Sequence, residues 1–301
     1  QTDVFVLKTP TKFISKFEQL LNFPIIYLQI LPILFKNKSA HILGFGGYLT
    51  LPVLLCAKSI KRKISIHEAN AVLGKANRVL SKYASFIFLT FGETRMIDKK
   101  FDHKIHKVGL PLRDEFENFK AKENNRYIIS IIGGSQGSYS FSKEVPEAII
   151  KLSKQVDRNL LIYHQCRKED ISSIKNKYHE FGILSEVSNY FNDMPQKMSE
   201  SDVIISRSGS STVNEIIYTN KPSILIPFPF AIDDHQFYNA SFLEKKLCAK
   251  IIKNSEISSD LILNTLLGFY KNPDKVKFIS QKLKDLTYKN TTNDILKLIQ
   301  K

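Results

Sequence analysis

Cysteine is scarce in this chain of 301 residues, and the three present, Cys56, Cys166 and Cys248, lie far apart. An odd, scattered set gives neither the close pairs of a structural zinc site nor a disulfide framework, and it points to a reducing cytoplasm. Acidic side chains are short as well: 29 Asp and Glu face 44 Lys and Arg, a net charge of +15. The surplus favours an anionic partner such as nucleic acid, a nucleotide, a diphosphate or an anionic membrane surface. A lysine-rich solvated surface would give the same figure. The basic residues are dispersed and no recognition motif accompanies them, which argues against nucleic acid. No unbroken apolar run reaches the roughly 20 residues of a spanning helix. No cleavable signal peptide, internal repeat or low-complexity tract is visible. Residues 1–38 contain no glycine, so the strand, glycine turn and helix that usually open a doubly wound domain are missing from them. Gln1 rather than Met opens the chain, as expected of a processed or incomplete start.

What is present is ordinary globular composition, 43% hydrophobic and 24% charged, in a length sufficient for two domains. Short apolar segments alternate with helical ones. Strands are predicted at 40–44, 64–67, 86–90, 127–132, 160–164, 186–191, 203–206, 223–226 and 249–252, with a weaker one at 4–7 and a short extended piece at 107–110. Helices are predicted at 52–59, 70–83 and 141–154, and from Pro273 onward. This alternation predicts an α/β fold with parallel sheets covered by helices on both faces. The polar stretch 111–125 reads as a linker between two such units. Ligands bind at strand ends in such folds, so the expected site is a cleft between the units.

The segment from Phe17 to Phe35 is the most apolar of the chain, and Lys12, Lys16, Lys36 and Lys38 flank it. Pro24 and Pro32 interrupt it. It fits either a helix packed in the core or an interfacial element with lysines at lipid head groups.

The most informative stretch is Asp202-Val-Ile-Ile-Ser-Arg-Ser-Gly-Ser-Ser-Thr-Val-Asn-Glu215. Val203–Ser206 reads as a buried parallel strand, Ser208–Ser211 as a turn with an N-cap, and Thr212 onward as a helix. A strand that turns into a helix N-terminus makes an anion site, and Glu215, about one turn in, can take a sugar diol. An ordinary capped βα corner is the plain alternative. Gly44-Phe-Gly-Gly-Tyr48 and Gly133-Gly-Ser-Gln-Gly137 each follow a strand and precede a helix. Their glycines permit close backbone approach to phosphate, and Ser135 and Gln136 add donors. In His67-Glu-Ala-Asn70, His67 can relay a proton, Glu68 can act as base and Asn70 can bond a sugar or phosphate; a turn with an Asn cap is equally consistent. Arg113 suits an anion, or is a solvated linker arginine. His164-Gln165 ends another strand and reads as structural or as a cleft wall. Asp233, Asp234 and His235 are adjacent on one loop and poorly spaced for a metal, whereas Gln236 suits sugar hydroxyls.

These blocks, with Val108-Gly-Leu-Pro-Leu-Arg113, Tyr163-His-Gln165, Arg207-Ser-Gly209, Asp234-His-Gln236 and Asn239-Ala240, resemble the MurG-type glycosyltransferases of peptidoglycan synthesis, from about Leu20 to the C-terminus. The resemblance implies two Rossmann-like domains of the glycosyltransferase B type, working without a metal or other cofactor. The first, 1–112, would face acceptor and membrane, lack its opening strand-loop-helix unit and be rejoined by the helix 285–301. The second, 113–284, would bind UDP-sugar. The implied reaction is inverting transfer of N-acetylglucosamine from UDP-N-acetylglucosamine to lipid I, giving lipid II. It would occur peripherally on the cytoplasmic face of the bacterial inner membrane, held to the anionic surface through 17–38. By position, Asn70, Arg113, Ser135, Gln136, Phe191, Ser210, Ser211, Thr212, Glu215 and Gln236 look like donor contacts, with Glu215 at the ribose and Phe191 a backbone contact to uracil. Gly44, Gly46, Gly47, Tyr48, His67 and Glu68 would face the acceptor diphosphate, His67 and Glu68 being the candidates for catalysis. The family's opening Gly-Thr-Gly-Gly-His type loop has no counterpart in this sequence. A non-catalytic remnant that binds UDP-sugar and membrane, or a related glycolipid glycosyltransferase, therefore stays open beside the main reading.

Overall fold

The computed structural model describes residues 23–37, 41–116, 125–133 and 139–300. The expected strand 4–7, residues 17–22 and 38 of the apolar segment, most of the linker 111–125, and Ser135 and Gln136 lie outside them. The chain forms two compact units, one running to Val108 and resuming at Asn290, the other spanning Gly109–Lys289. The sequence reading put these crossings at 112/113 and 284/285.

In the first unit the order is α1 (Phe23–Lys36), β1 (His41–Gly44), α2 (Thr50–Ser59), β2 (Lys63–Glu68), α3 (Lys75–Leu80), β3 (Ile87–Leu89) and β4 (Ile105–Lys107). The strands pair in parallel in the order β1-β2-β3-β4. In the second unit follow β5 (Tyr127–Ile132), α4 (Tyr139–Ser153), β6 (Leu160–Gln165), α5 (Ile171–Glu180), β7 (Leu184–Ser188), α6 (Met194–Glu200) and β8 (Val203–Ser206). Then come α7 (Ser210–Thr219), β9 (Ser223–Leu225), α8 (His235–Lys245), β10 (Ala249–Ile251), α9 (Ser259–Tyr270) and α10 (Pro273–Asp285). A final helix, α11 (Thr291–Ile299), belongs to the first unit. It is fastened there by Ile295, buried with Phe88 and Val108, and by the Thr291 hydroxyl, which donates to Val108 O at 2.6 Å.

The second unit's sheet runs β10-β9-β8-β5-β6-β7, all parallel. Every residue of β5, β8 and β9 is buried, as continuous apolar strands covered on both faces must be. Winding reverses between β5 and β8: the chain builds outward through β6 and β7, then returns to β5's other edge. Ile132 accordingly pairs with Gln165 on one side and Ser206 on the other. Loops leaving adjacent strands at such a reversal diverge and open a crevice at the carboxyl ends, here above Gly133 and Arg207.

Two sequence expectations need correction. Residues 70–83 do not form one helix: 70–74 are irregular, Val72 bridges to Arg95, and α3 starts only at Lys75. The reason is Glu68, whose carboxylate draws the backbone N–H groups of Asn70 and Gly74 to itself and so competes with helical bonding. The strand expected at 186–191 runs instead over Leu184–Ser188, because the Ser188 hydroxyl bonds Tyr190 N–H and O and turns the chain out of the sheet.

Helix α1, within the apolar segment, buries one face and exposes another. Ile26, Ile30 and Leu34, spaced i, i+4, i+8, sink into the core with Leu54, Ile64 and Ile66. On another side Ile25, Leu28 and Phe35 are 51%, 69% and 60% exposed. No helix among the described residues is long and apolar enough to cross a membrane.

Candidate active site

In the first unit the site residues gather at the carboxyl ends of β1 and β2. Gly44 closes β1 where α2 presses against the strand; a Cβ there would collide with Thr50 and stand 2.7 Å from Leu54 Cδ1. Gly46 and Gly47 take φ of +79° and +83°, a turn that ordinary side chains resist. The Thr50 hydroxyl donates to Gly46 O and holds that turn on the helix start. Phe45, largely exposed, lies over the buried His67 ring with centroids 5.2 Å apart.

Glu68 is buried and surrounded by donors from its own loop and from α3. Asn70 N–H (3.0 Å) and Asn70 Nδ2 (3.2 Å) donate to Oε1; Gly74 N–H (2.8 Å) and Asn77 Nδ2 (2.9 Å) donate to Oε2. Asn77, which drew no attention in the sequence, also donates to His67 O at 3.2 Å. This carboxylate is already satisfied on both oxygens, and its evident work is to hold the 69–74 loop. Asn70 is thereby fixed beside it.

In the second unit the opening motif folds as a strand, turn and helix. The helix starts at Ser210, two residues earlier than expected, and Gly209, extended at φ −60° and ψ 148°, occupies the N-cap, with no side-chain cap bond to the first N–H groups. Ser208, the residue suited to capping, turns its hydroxyl to Gln236 O at 2.8 Å. The N–H groups at Ser210, Ser211 and Thr212 thus lack a side-chain cap, and a Cβ added at Gly209 would meet only open space. A helix start of this kind attracts anions.

Arg207 adds a buried positive charge just before the turn. Its Nη1 donates to Ile226 O (3.0 Å), Pro227 O (3.2 Å) and Asn254 Oδ1 (3.0 Å), and its guanidinium lies 5.3 Å from the Phe141 ring centre. Burial brings its pKa down to about 10, which leaves it charged at neutral pH.

Glu215 projects from α7 one turn in. Burial raises its carboxyl pKa, and Arg113, whose Nη2 is 3.8 Å from Oε1, partly offsets the rise. Arg113 and Glu215 are thus brought together, with Arg113 resting over Phe116 at 5.8 Å. Gln236 heads α8, and its Oε1 accepts Phe228 N–H at 3.0 Å, which pins the 227–234 loop. Asp233 and Asp234 adopt left-handed backbone at φ 53° and 52° in that loop. His164 is fully buried and bonded to Tyr178 OH at 3.0 Å; burial depresses its pKa to about 3, so the ring is neutral and structural. Phe191 stands just beyond β7, in a loop whose Asn189 O accepts from Gln165 Nε2 at 3.3 Å. No His, Cys, Asp or Glu cluster among the described residues could hold a metal ion.

Glycosyltransferase family 28 provides matches to both halves: its C-terminal domain to residues 128–298 and its N-terminal domain to residues 7–89. This chain belongs to glycosyltransferase family 28. Within the family it is of the MurG type. It is 34% identical over 284 residues to the UDP-N-acetylglucosamine–N-acetylmuramyl-(pentapeptide) pyrophosphoryl-undecaprenol N-acetylglucosamine transferase of Francisella philomiragia, covering 91% of this chain and 76% of that protein. The protein of the same name from Pelagibacter ubique is also 34% identical, over 88% of this chain and 74% of its own length. The crystal structure of Acinetobacter baumannii MurG superposes with a TM-score of 0.77 at 26% identity, covering 98% of this family 28 chain and 83% of that one. UDP-GlcNAc 2-epimerase from Neisseria meningitidis, bound to UDP-GlcNAc, shares the fold alone, with a TM-score of 0.71 at 13% identity over 98% of this chain and 84% of that one.

Proposed function

We propose that this protein transfers N-acetylglucosamine from UDP-N-acetylglucosamine to lipid I, with inversion at the anomeric carbon, to give lipid II. The observation that carries the reading is the start of α7: a helix N-terminus without a side-chain cap, open at Gly209, followed one turn later by a desolvated carboxylate. A UDP diphosphate suits the first feature and the ribose diol the second. Arg113, beside Glu215, and the buried charge of Arg207 favour an anion there. In the transfer step the acceptor 4-hydroxyl attacks the anomeric carbon, the glycosidic oxygen leaves with UDP, and the hydroxyl proton passes to a base. Charge growing on the leaving diphosphate is met by fixed N–H dipoles, which need no reorganisation as it forms. Gln236 is the proposed sugar contact through its amide N–H groups, since its oxygen already accepts from Phe228. The exposed Ile25, Leu28 and Phe35 of α1, with Lys36 at its end, support work at an anionic membrane surface. The names carried by the Francisella and Pelagibacter relatives supply the acceptor.

A second reading, a UDP-sugar-binding protein that performs no transfer, is favoured by Glu68. As a general base it would need a free lone pair, and four donors from Asn70, Gly74 and Asn77 already occupy its oxygens. A transfer assay with labelled UDP-N-acetylglucosamine and a short-chain lipid I analogue, run beside calorimetry with UDP, decides. Labelled disaccharide product is expected. UDP binding without product would overturn the proposed transfer in favour of the second reading.

A further inference from the structure

Lys197 stood out in no motif, yet it is among the most constrained charged residues of the molecule. It lies on α6 with its side chain only 8% exposed. Its ammonium donates to Glu186 Oε2 on β7 at 2.7 Å and pairs with Asp193 Oδ2 at 3.2 Å. It also sits 4.1 Å from the ring centre of Tyr163 on β6 and 5.1 Å from that of Phe191. One cation therefore joins two strand ends, its own helix and both sides of the 189–193 loop.

Burial by itself would lower the Lys197 pKa, but Glu186 and Asp193 outweigh it and the net shift is upward, so the group stays charged. A charged ammonium is attracted to the face of an aromatic ring, the more so where water is largely excluded. The remainder of the loop is held by the Gln165 Nε2 to Asn189 O bond at 3.3 Å and by the Ser188 hydroxyl, which donates to Tyr190 O at 2.8 Å. Short loops of this kind have few buried contacts and shift readily unless something ties them down. Lys197 thus holds the loop at two points, the Phe191 ring and the Asp193 carboxylate.

We propose that Lys197 is a positioning residue for nucleobase recognition: its ammonium clamps Phe191 and Asp193 so that the backbone of the 189–193 loop reads the hydrogen-bonding edge of uracil. The inference rests on the nucleotide site proposed above. Backbone N–H and C=O groups distinguish uracil from cytosine only when held in fixed directions, because the two bases exchange a carbonyl for an amine at one position and a donor for an acceptor at the next.

The test is calorimetry of UDP and CDP binding to the full chain and to the Lys197→Met and Glu186→Gln variants. Glu186 is largely exposed, so its variant should fold even if Lys197→Met does not. For the unmodified protein UDP should bind at least tenfold tighter than CDP. In Lys197→Met, UDP affinity should fall about tenfold while CDP affinity stays nearly constant, and Glu186→Gln should move the ratio the same way by a smaller factor. Folded variants that keep the UDP-to-CDP ratio, or that weaken both nucleotides equally, would overturn the inference. Discrimination absent from the unmodified protein would also overturn it. Failure of the unmodified protein to bind either nucleotide would instead remove the nucleotide site itself, and the inference with it.

Discussion

Glu68, buried, and Glu215, largely buried, are carboxylates beside glycine-bearing turns, one in each unit, and they are used in opposite ways. Glu68 is enclosed by donors from its own loop and from Asn77 on α3, so its charge is spent on holding the local fold. Glu215 has one distant cation for company and a carboxyl pKa raised by burial. A satisfied carboxylate stabilises a fold. A desolvated, underpaired one costs stability and is retained where a ligand will complete it. The same contrast holds for the backbone: the Gly46–Gly47 turn is tied down by Thr50, whereas the start of α7 has no side-chain cap.

The largest test of this contrast is Glu68→Ala. It strands the donors of Asn70, Gly74 and Asn77 and should cost about 3 kcal/mol in urea unfolding, while UDP affinity of the folded protein stays unchanged. A variant as stable as the parent would dissolve the comparison. Next, Glu215→Ala should weaken UDP binding by about 100-fold, about 2.7 kcal/mol in calorimetry, with no loss of stability. Gly133→Ala should follow: its Cβ would stand 3.0 Å from Gln165 O and 3.4 Å from Phe141 Cε1. It should cost about 1–3 kcal/mol in a thermal melt.

A subtler effect comes from titration. Because the folded-state pKa of Glu215 is raised, ionising it opposes folding; the penalty is full above the raised value and is lifted as pH falls through it toward the ordinary carboxylate range. Glu215→Gln should therefore be more stable than the parent at pH 7. Urea melts across pH should show that advantage shrinking on acidification. An advantage that grew with acid would mean the sign is wrong. The smallest effect on folding belongs to Leu28→Ser on the exposed side of α1, within about 0.5 kcal/mol. Its readout is sedimentation with vesicles containing anionic lipid, which the variant should bind measurably less.

Most of the architecture was legible because a parallel strand buried on both faces must be apolar throughout. Val203–Ser206 and Tyr127–Ile132 could be bounded from their residues alone. The errors fell where side chains bond backbone. Asn70–Gly74 carries helix-compatible residues, yet Glu68 takes its N–H groups, and a bond between positions 68 and 74 leaves no periodic trace. The helix expected from Thr212 begins at Ser210, and the Ser208 hydroxyl bonds Gln236 O, far along the chain. Lys197 was invisible for the same reason, since its partners come from three other segments.

The sequence by itself determined the alternation of strands and helices, the glycine turns and the family to which they belong, because hydrophobic period and backbone permissiveness are local properties. Tertiary structure alone decided which of the two acids is satisfied, which helix start is left without a cap, and which lysine lies inside. Those outcomes depend on desolvation and on partners that come from distant parts of the chain, and both exist only once the units have packed.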